Sequence, residues 1–294
     1  MAFSSGTCTD HYALFEIIRQ AALAEGWVEE RYVDNILDTN GEPNLELILN
    51  GSGVSGTEEI VVTMTTLQYL TTYRSISFGC ATGFSSGDTL ENQPNHSGQR
   101  WVSCWEQTIY YWLGVSDQRI HLEVNINGYY LYAYVGGIYP HQPPSYYRYP
   151  LVVIAGSTSP ATKYSNSSYK NGLYDPDTNG NWALVMGFDG VWKYAYFYPL
   201  HNPALITGES MYTVSKALPT GAYPLEPVAG VNVHLPMTVA TRAEGPLGDL
   251  EGLRYAPWTG VAVEDTITGG GETLTLFNDK TGTATIDFVA FLHE

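Results

Sequence analysis

The segment that most constrains the fold is a run of strictly alternating residues in the middle of the chain. From Ile120 to Ile126 every second residue is aliphatic, and those between are polar: His121, Glu123 and Asn125. This period of two predicts a β-strand with one buried face and one polar face. Asn127-Gly128 follows and favours the positive φ angles of a tight hairpin, so the aromatic segment after it should return antiparallel. We therefore expect an antiparallel meander between Ile109 and Pro150 to form the core sheet.

One amphipathic helix is predicted near the N-terminus. Asp10 is a suitable N-cap, apolar residues follow at helical spacing, and Gly26 stands where a left-handed residue ends a helix. Strand-like segments fill the rest, so the expected fold is α+β and predominantly β: antiparallel sheets in a sandwich, one N-terminal helix and an all-β C-terminal part. Spaced prolines suggest a soft boundary near Ser215, with an α+β main domain at 1–215 and a C-terminal domain at 216–294.

Three further segments carry structural predictions. The strongly aromatic segment from Trp101 to Leu113 should form a buried pair of strands. Residues 157–181 are rich in Ser, Asn, Tyr and Gly without periodicity, which is typical of a long surface loop. Trp182 to Met186 and Val191 to Tyr198 should form a hairpin across Phe188-Asp189-Gly190.

Composition narrows the class of protein. Charged residues make up only 15% of the 294 residues, whereas tyrosine occurs 23 times, which favours a β-rich protein with large, half-polar contact surfaces. Thirty acidic and thirteen basic residues give a formal charge of −17, which repels phosphate and argues against specific nucleic-acid binding. The chain lacks a segment of membrane-spanning length and a signal-peptide pattern, so we expect no membrane association. Three cysteines, Cys8, Cys80 and Cys104, cannot form a closed disulfide framework, which favours synthesis in a reducing cytoplasm.

Two local motifs resemble functional sites but lack a required part. Gly83-Phe84-Ser85-Ser86-Gly87 has the pattern of a nucleophile elbow, yet the helix that this motif requires is not predicted after it. Asp175 to Gly180 matches the first half of a calcium loop, with oxygen-bearing side chains at the first, third and fifth positions. The twelfth position, where a bidentate Glu should close the site, is Met186. A loop is favoured for both motifs, and calcium binding by Asp175–Asn179 stays open.

The remaining titratable residues do not form a recognisable catalytic or metal-binding set. The histidines do not fall at metal-ligand spacing, and His121 should lie on the polar face of its strand without a special role. The carboxylate pairs Asp249 with Glu251 and Glu264 with Asp265 are expected in turns without a cleft, although two glycosidase carboxylates can come from anywhere in a chain. We therefore predict a protein without enzymatic activity, metal or cofactor.

The most unusual local feature is a Tyr- and Pro-rich run at residues 139–150. Such a run could line a sugar-binding face, cover a protein interface or cap the end of a sheet. Tyr and Arg are enriched at interface cores, and loops fixed by proline lose little entropy when they dock. An interface is therefore favoured, with sheet capping second; the candidate interface residues are Tyr139, Pro140, Tyr146, Tyr147, Arg148 and Tyr149.

The order of several segments provides a family resemblance. After the N-terminal helix and Gly26-Trp27, these segments are Ile48–Ile60, Tyr111–Leu113 with Gln118–Ile120, Tyr134–Pro140, Tyr149–Leu151, Leu247–Leu253 and Glu264–Gly270. In this order they resemble a family of virion structural proteins of tailed bacteriophages. The resemblance spans most of the chain but leaves out residues 157–181, and none of its segments is chemically diagnostic.

The resemblance implies a non-enzymatic structural component of the phage particle, assembled in the host cytoplasm. It would form a homo-oligomer and pack against other virion proteins at the neck or collar, the tail or the baseplate. The charge of −17 favours the neck, because an anionic ring does not grip passing DNA. The alternative is an adhesin-like β protein of the tail or baseplate that binds or cleaves surface glycans with the aromatic residues from Tyr139 to Tyr149.

Overall fold

The computed structural model describes residues 2–37, 41, 43–53, 56, 59–69, 73–105, 108–162, 183–198, 234–256, 258, 260–269, 271–277 and 288–293. The N-terminal part of the chain forms β1 (Ala2–Cys8), α1 (His11–Ala24), β2 (Val28–Leu37), β3 (Pro43–Gly51), β4 (Ile60–Tyr69) and β5 (Tyr73–Ala81). A 3-10 turn (Leu90–Asn92) follows β5. The middle of the chain forms β6 (Arg100–Ser103), β7 (Ile109–Val115), β8 (Arg119–Ile126), β9 (Tyr129–Gly137), β10 (Tyr139–Pro140), β11 (Leu151–Ile154), β12 (Ala183–Met186), β13 (Trp192–Tyr194) and β14 (Tyr196–Tyr198). The last part forms β15 (Leu235–Thr241), β16 (Gly245–Ala256), β17 (Thr266–Gly269), β18 (Glu272–Phe277) and β19 (Phe288–His293).

These strands form three antiparallel sheets. The central sheet has the order β1-β7-β8-β9-β11-β12-β13, and the N-terminal sheet has the order β2-β3-β4-β5-β6. The C-terminal sheet has the order β14-β15-β16-β19-β18-β17, with β10 paired to β16. The predicted fold class is confirmed, because the described residues are mostly in antiparallel strands and include one α-helix.

The central sheet contains the predicted meander. β8 pairs with β7 on one side and with β9 on the other, and Ile126 lies opposite Tyr129 across the hairpin. Asn127 and Gly128 have φ angles of 53° and 80°, so both adopt the left-handed backbone that this two-residue turn requires.

Both faces of the middle strands of the central sheet, β8 and β9, are covered, which corrects the prediction of a polar outer face. The aliphatic residues of β8 pack against the N-terminal sheet and α1, in a core cluster that includes Ile120, Leu122, Val124 and Ile126. Tyr130, Tyr132 and Tyr134 of β9 lie in a second core cluster with the C-terminal sheet. His121 and Glu123, predicted on the polar face, are 0% and 1% exposed because this third layer covers them.

The helix begins and ends as predicted. The Asp10 side chain accepts a hydrogen bond from the backbone N–H of Ala13 at 2.8 Å, and Gly26 has a φ angle of 91°. The apolar stripe of α1, which includes Leu14 and Ile18, packs into the core between the N-terminal and central sheets. The indole N–H of Trp27 then donates to the Ser116 carbonyl, which fixes the start of β2 to the central sheet.

Two connections between the sheets were not predicted. Trp101 and Leu113 lie on β6 and β7, which belong to different sheets, so the expected strand pair does not form. The predicted hairpin of β12 and β13 is confirmed, but after Ala195 the chain crosses into the C-terminal sheet as β14. Strands β10 and β14 therefore share a sheet with β15 to β19. The boundary near Ser215 and the Asp175–Asn179 segment lie outside the described residues.

Candidate functional site

A cleft of about 490 Å³ opens on the C-terminal sheet, beside the corner that joins β7 to β8. It contains three carboxylates, an arginine, a histidine and a tyrosine, and its lining consists of Tyr139, His234, Pro236, Asp249, Leu250, Glu251, Gly252, Arg254 and Glu272. Strand β16 contributes the central part of this lining. Asp249 and Glu251 lie on its outer side, whereas Leu250 between them is fully buried, as strand alternation requires.

Glu251 is held in place by four hydrogen-bond donors. Its Oε2 accepts from Ser116 Oγ at 3.0 Å, from Gln118 Nε2 at 2.6 Å and from Arg119 Nε at 2.9 Å. Its Oε1 accepts from the Tyr139 hydroxyl at 2.9 Å. The first three donors are buried residues of the β7–β8 corner, so the carboxylate cannot reorient without breaking contacts in the core.

This environment keeps Glu251 ionised. Burial by itself raises the pKa of the carboxyl, but the positive charge of Arg119 and the hydrogen bonds from Gln118, Tyr139 and Ser116 outweigh it. The resulting pKa is below the ordinary value for glutamate. Glu251 is therefore a fixed anion and acceptor at neutral pH, and it is unsuited to the role of a general acid.

Arg119 connects the cleft to a buried polar cluster between the central and C-terminal sheets. Its side chain is fully buried, and its Nη1 lies 2.7 Å from Nδ1 of His121. Burial, reinforced by the charge of Arg119, holds the pKa of His121 well below its usual value, so the ring is neutral and its Nδ1 can accept. Burial also raises the pKa of Glu123 well above its usual value, which favours a protonated carboxyl. His121 thus has a structural role, contrary to the prediction.

The other polar groups of the cleft are also held by neighbours. Asp249 accepts from the Thr238 hydroxyl at 2.6 Å, and its second oxygen lies 3.2 Å from Nε2 of His141. Glu272 lies 2.8 Å from Nε2 of His234. The cleft therefore presents oriented acceptors together with nitrogen donors, a set that can bind a polar ligand. Among the described residues, no group of three or more His, Cys, Asp or Glu side chains could hold a metal ion.

The structure separates the residues of the Tyr- and Pro-rich run. Tyr139 and Pro140 form β10 and lie beside the cleft, with Tyr139 45% exposed. Tyr146 is 61% exposed and its ring lies 5.0 Å from that of Phe188.

The other three candidate residues of the run, Tyr147, Arg148 and Tyr149, differ in how far they are exposed. Arg148 is exposed and lies over the ring of Tyr149, which is itself half-buried. Tyr147 is 1% exposed and its hydroxyl donates to the Met186 carbonyl, so the prediction of Tyr147 as an interface residue is wrong. Its ring instead fills the core between the central and C-terminal sheets.

The remaining sequence-predicted sites have mixed outcomes. Ser85 and Ser86 lie in a loop that the Gln93 side chain closes, and a 3-10 turn rather than an α-helix follows, as expected. Glu264 lies in a turn, also as expected. Asp249 and Glu251 were predicted in turns without a cleft, which is wrong because both lie on β16 and line the cleft. The three cysteines are unpaired and buried.

Sequence reasoning missed the buried donors of Glu251. Gln118 and Arg119 are 133 and 132 residues away from Glu251 in the chain, so local patterns carry no signal for this contact. The alternation of Asp249, Leu250 and Glu251 could have indicated a strand with two carboxylates on one face.

Comparisons with known proteins do not identify a relative. No protein-family model matches the chain, and no curated protein is significantly similar to it in sequence. Within the described residues, no helix is both long and apolar enough to cross a membrane.

Proposed function

We propose that this chain is a non-enzymatic structural subunit of a tailed-phage particle, at the neck or collar or in the adjoining tail. It would act by packing against copies of itself and against other virion proteins. The observation that carries this proposal is the exposed apolar surface of β2, the outer strand of the N-terminal sheet among the described residues. The resemblance of the ordered segments to virion structural proteins supports the same function.

Strand β2 is ten residues long, and among the strands that the structure describes it pairs only with β3. Val28, Val33 and Leu37 on this strand are 57%, 37% and 66% exposed. Natural proteins protect an edge strand by covering or charging it, and β2 carries Glu29, Glu30, Arg31 and Asp34. The exposed apolar side chains on the same strand remain a surface that a neighbouring subunit would cover.

The register of β2 indicates how a neighbour would dock. The ladder to β3 shifts between Glu29 and Arg31 and again between Val33 and Ile36. Such irregularities twist an edge and interrupt a continuous hydrogen-bond template. The contact would therefore be made by packing apolar side chains rather than by adding a full-length strand.

A second exposed surface supports the same proposal. Tyr146 and Arg148 are exposed in the loop between β10 and β11, and the ring of Tyr146 lies beside that of Phe188. Tyr and Arg are the residue types that most often anchor protein interfaces. The net charge of −17 favours a position around the DNA passage, where an anionic wall repels phosphate and lets DNA slide.

The interface proposal is tested by incorporation into particles. The double variant Tyr146→Ser with Arg148→Ser removes both exposed groups without touching the buried Tyr147. We expect this variant to fold normally but to be lost from purified particles, as measured by quantitative mass spectrometry. Tyr110→Ser is the matched control, because it removes a half-exposed tyrosine from a different element, β7, and should incorporate normally. Normal incorporation of the double variant would count against this surface as an interface.

The cleft favours a second candidate function, an adhesin-like β protein that binds surface glycans. Tyr139 lies beside carboxylates there, as the alternative interpretation of the Tyr- and Pro-rich run requires. Mass measurement after gel filtration distinguishes the two functions. A monomer that retains a polysaccharide would support the adhesin, and an oligomer that does not would support the structural subunit.

A further inference from the structure

The lining of the cleft combines hydrogen-bond acceptors with donors, which restricts the chemistry of its ligand. Asp249, Glu251 and Glu272 present carboxylate oxygens, whereas Arg254 and His234 present nitrogens. An anionic ligand would face three carboxylates against one arginine, so phosphate-like groups are disfavoured. A simple cation would be attracted by the three carboxylates but repelled by Arg254, and it would leave the nitrogen donors without a partner. Hydroxyl groups both donate and accept, and they match such a mixed lining.

The cleft also presents an apolar surface that can contact the C–H groups of a ligand. The ring of Tyr139 is 45% exposed, and Pro236 lies in the same lining. An aromatic ring with a polar tip can pack against C–H groups while its hydroxyl remains hydrogen-bonded. Ligand sites generally combine such apolar contacts with a few placed polar groups. A ligand with one hydroxylated edge and one C–H face would satisfy both parts of this lining.

The polar groups are organised before any ligand arrives. Glu251 is fixed by buried Ser116, Gln118 and Arg119, and Oε1 accepts only the Tyr139 hydroxyl among the hydrogen bonds described, which leaves this oxygen a further acceptor position. Side chains that are already ordered lose little entropy on binding. Four donors converge on the Glu251 carboxylate. Such support is typical of a binding group and not of isolated surface charges.

We propose that this cleft binds a neutral saccharide, with Glu251, Asp249 and Glu272 accepting from its hydroxyls and Tyr139 packing on its C–H face. The volume of about 490 Å³ lies in the range of small-molecule sites and accommodates a ligand of one or two sugar units. This inference rests on the second function proposed above and gives it a ligand class and a location. Binding of this kind requires no covalent step.

Saturation-transfer NMR on the purified full chain tests this proposal directly. The probes are maltose, cellobiose, lactose and diacetylchitobiose, with spermidine as a cationic probe and methyl phosphate as an anionic probe that has observable protons. We expect transfer to at least one disaccharide and none to spermidine or methyl phosphate. Transfer to spermidine alone, or to no member of the panel, would overturn the proposal.

Variants locate the binding in the cleft. Glu272→Gln keeps the shape of the side chain, and Tyr139→Ala removes the ring; each should weaken saccharide binding about tenfold, as the loss of one good contact predicts. Tyr146→Ala is the matched control, because it removes an exposed tyrosine outside the cleft, and it should bind normally. Unchanged binding by Glu272→Gln and Tyr139→Ala would place the sugar elsewhere and overturn the proposal.

The result of the saccharide-binding experiment does not depend on whether the chain is a structural subunit. Saccharide binding is measured on the isolated chain, whereas the structural function is measured by incorporation of the Tyr146→Ser and Arg148→Ser variant. A chain that enters particles but binds no disaccharide would overturn only the cleft proposal.

Discussion

At the scale of single residues, the contact between Arg119 and Glu251 ties the central sheet to the C-terminal sheet. Arg119 is fully buried, so its charge depends on Glu251 for compensation. A buried ion pair adds little net stability compared with an apolar pair, but removing one partner leaves an uncompensated charge and is costly. Gly252 makes the contact possible, because a Cβ at this position would collide with the guanidinium.

We predict that Gly252→Ala destabilises the protein mainly through Arg119. Its φ angle of 70° is strained for alanine, and the added methyl group would displace the buried guanidinium. Gly260→Ala is the matched control: its φ angle is 74°, but the space around its Cβ position is open. We expect the free energy of unfolding to fall by about 1 kcal/mol in the control and by about 3–5 kcal/mol in Gly252→Ala, from urea denaturation. Equal losses would show that the Arg119 contact is unimportant.

His96 makes stability depend on pH. Its Nδ1 accepts from the Gly98 N–H at 3.1 Å, so the ring proton is on Nε2, which lies 2.8 Å from the Thr63 hydroxyl. Burial, with a smaller effect of Arg100, lowers the pKa of His96 from 6.5 to about 4. Between these values the unfolded chain binds a proton that the folded chain does not. The stability from His96 is therefore fully present above pH 6.5 and is lost as the pH falls toward 4.

We predict that His96→Gln makes the free energy of unfolding less dependent on pH. In the window from pH 6.5 to about 4, the slope should fall by up to about 1.4 kcal/mol per pH unit, the value for one proton. Urea denaturation at several pH values measures the slopes of the wild type and of His96→Gln. An unchanged slope in His96→Gln would contradict the neutral, buried ring.

At the scale of elements, the local signals of the sequence predicted most of the secondary structure. Asn127-Gly128 determines the hairpin of β8 and β9, and the alternation of β8 predicts which of its side chains share a face. Neither signal shows whether the second face meets solvent or another sheet. The burial of His121 and Glu123 depends on strands far along the chain, which is why it was not predicted. The cleft was not predicted for the same reason, because its lining residues are far apart in the chain.

We predict that Asp10→Ala weakens α1 at its first turn. The side chain satisfies the N–H of Ala13, and alanine offers no acceptor in its place. The free energy of unfolding should fall by about 1 kcal/mol, whereas Asp10→Asn keeps an acceptor and should lose only a few tenths of that amount. Thermal unfolding followed by circular dichroism measures the difference. Equal losses in the two variants would show that the cap hydrogen bond does not matter.

At the scale of the whole molecule, three sheets pack in layers, and the middle strands of the central sheet, β8, β9, β11 and β12, are buried on both faces. The Tyr-rich β9 supplies the contact to the C-terminal sheet through Tyr130, Tyr132 and Tyr134. In the Tyr- and Pro-rich run Tyr147 is buried as well, which leaves Tyr139, Tyr146 and Arg148 as its exposed candidate residues. Under the proposed function, the exposed Val28, Val33 and Leu37 of β2 are the main surface for packing against neighbours.

The mass of the purified chain in solution, measured by sedimentation velocity, tests this central claim most directly. The proposal predicts a concentration-dependent oligomer whose mass is a multiple of 32.4 kDa. It further predicts that Leu37→Lys, which charges the exposed end of β2, shifts the chain to the monomer without changing the free energy of unfolding by more than about 0.5 kcal/mol. A wild-type chain that stays a 32.4 kDa monomer at every concentration would contradict packing through β2.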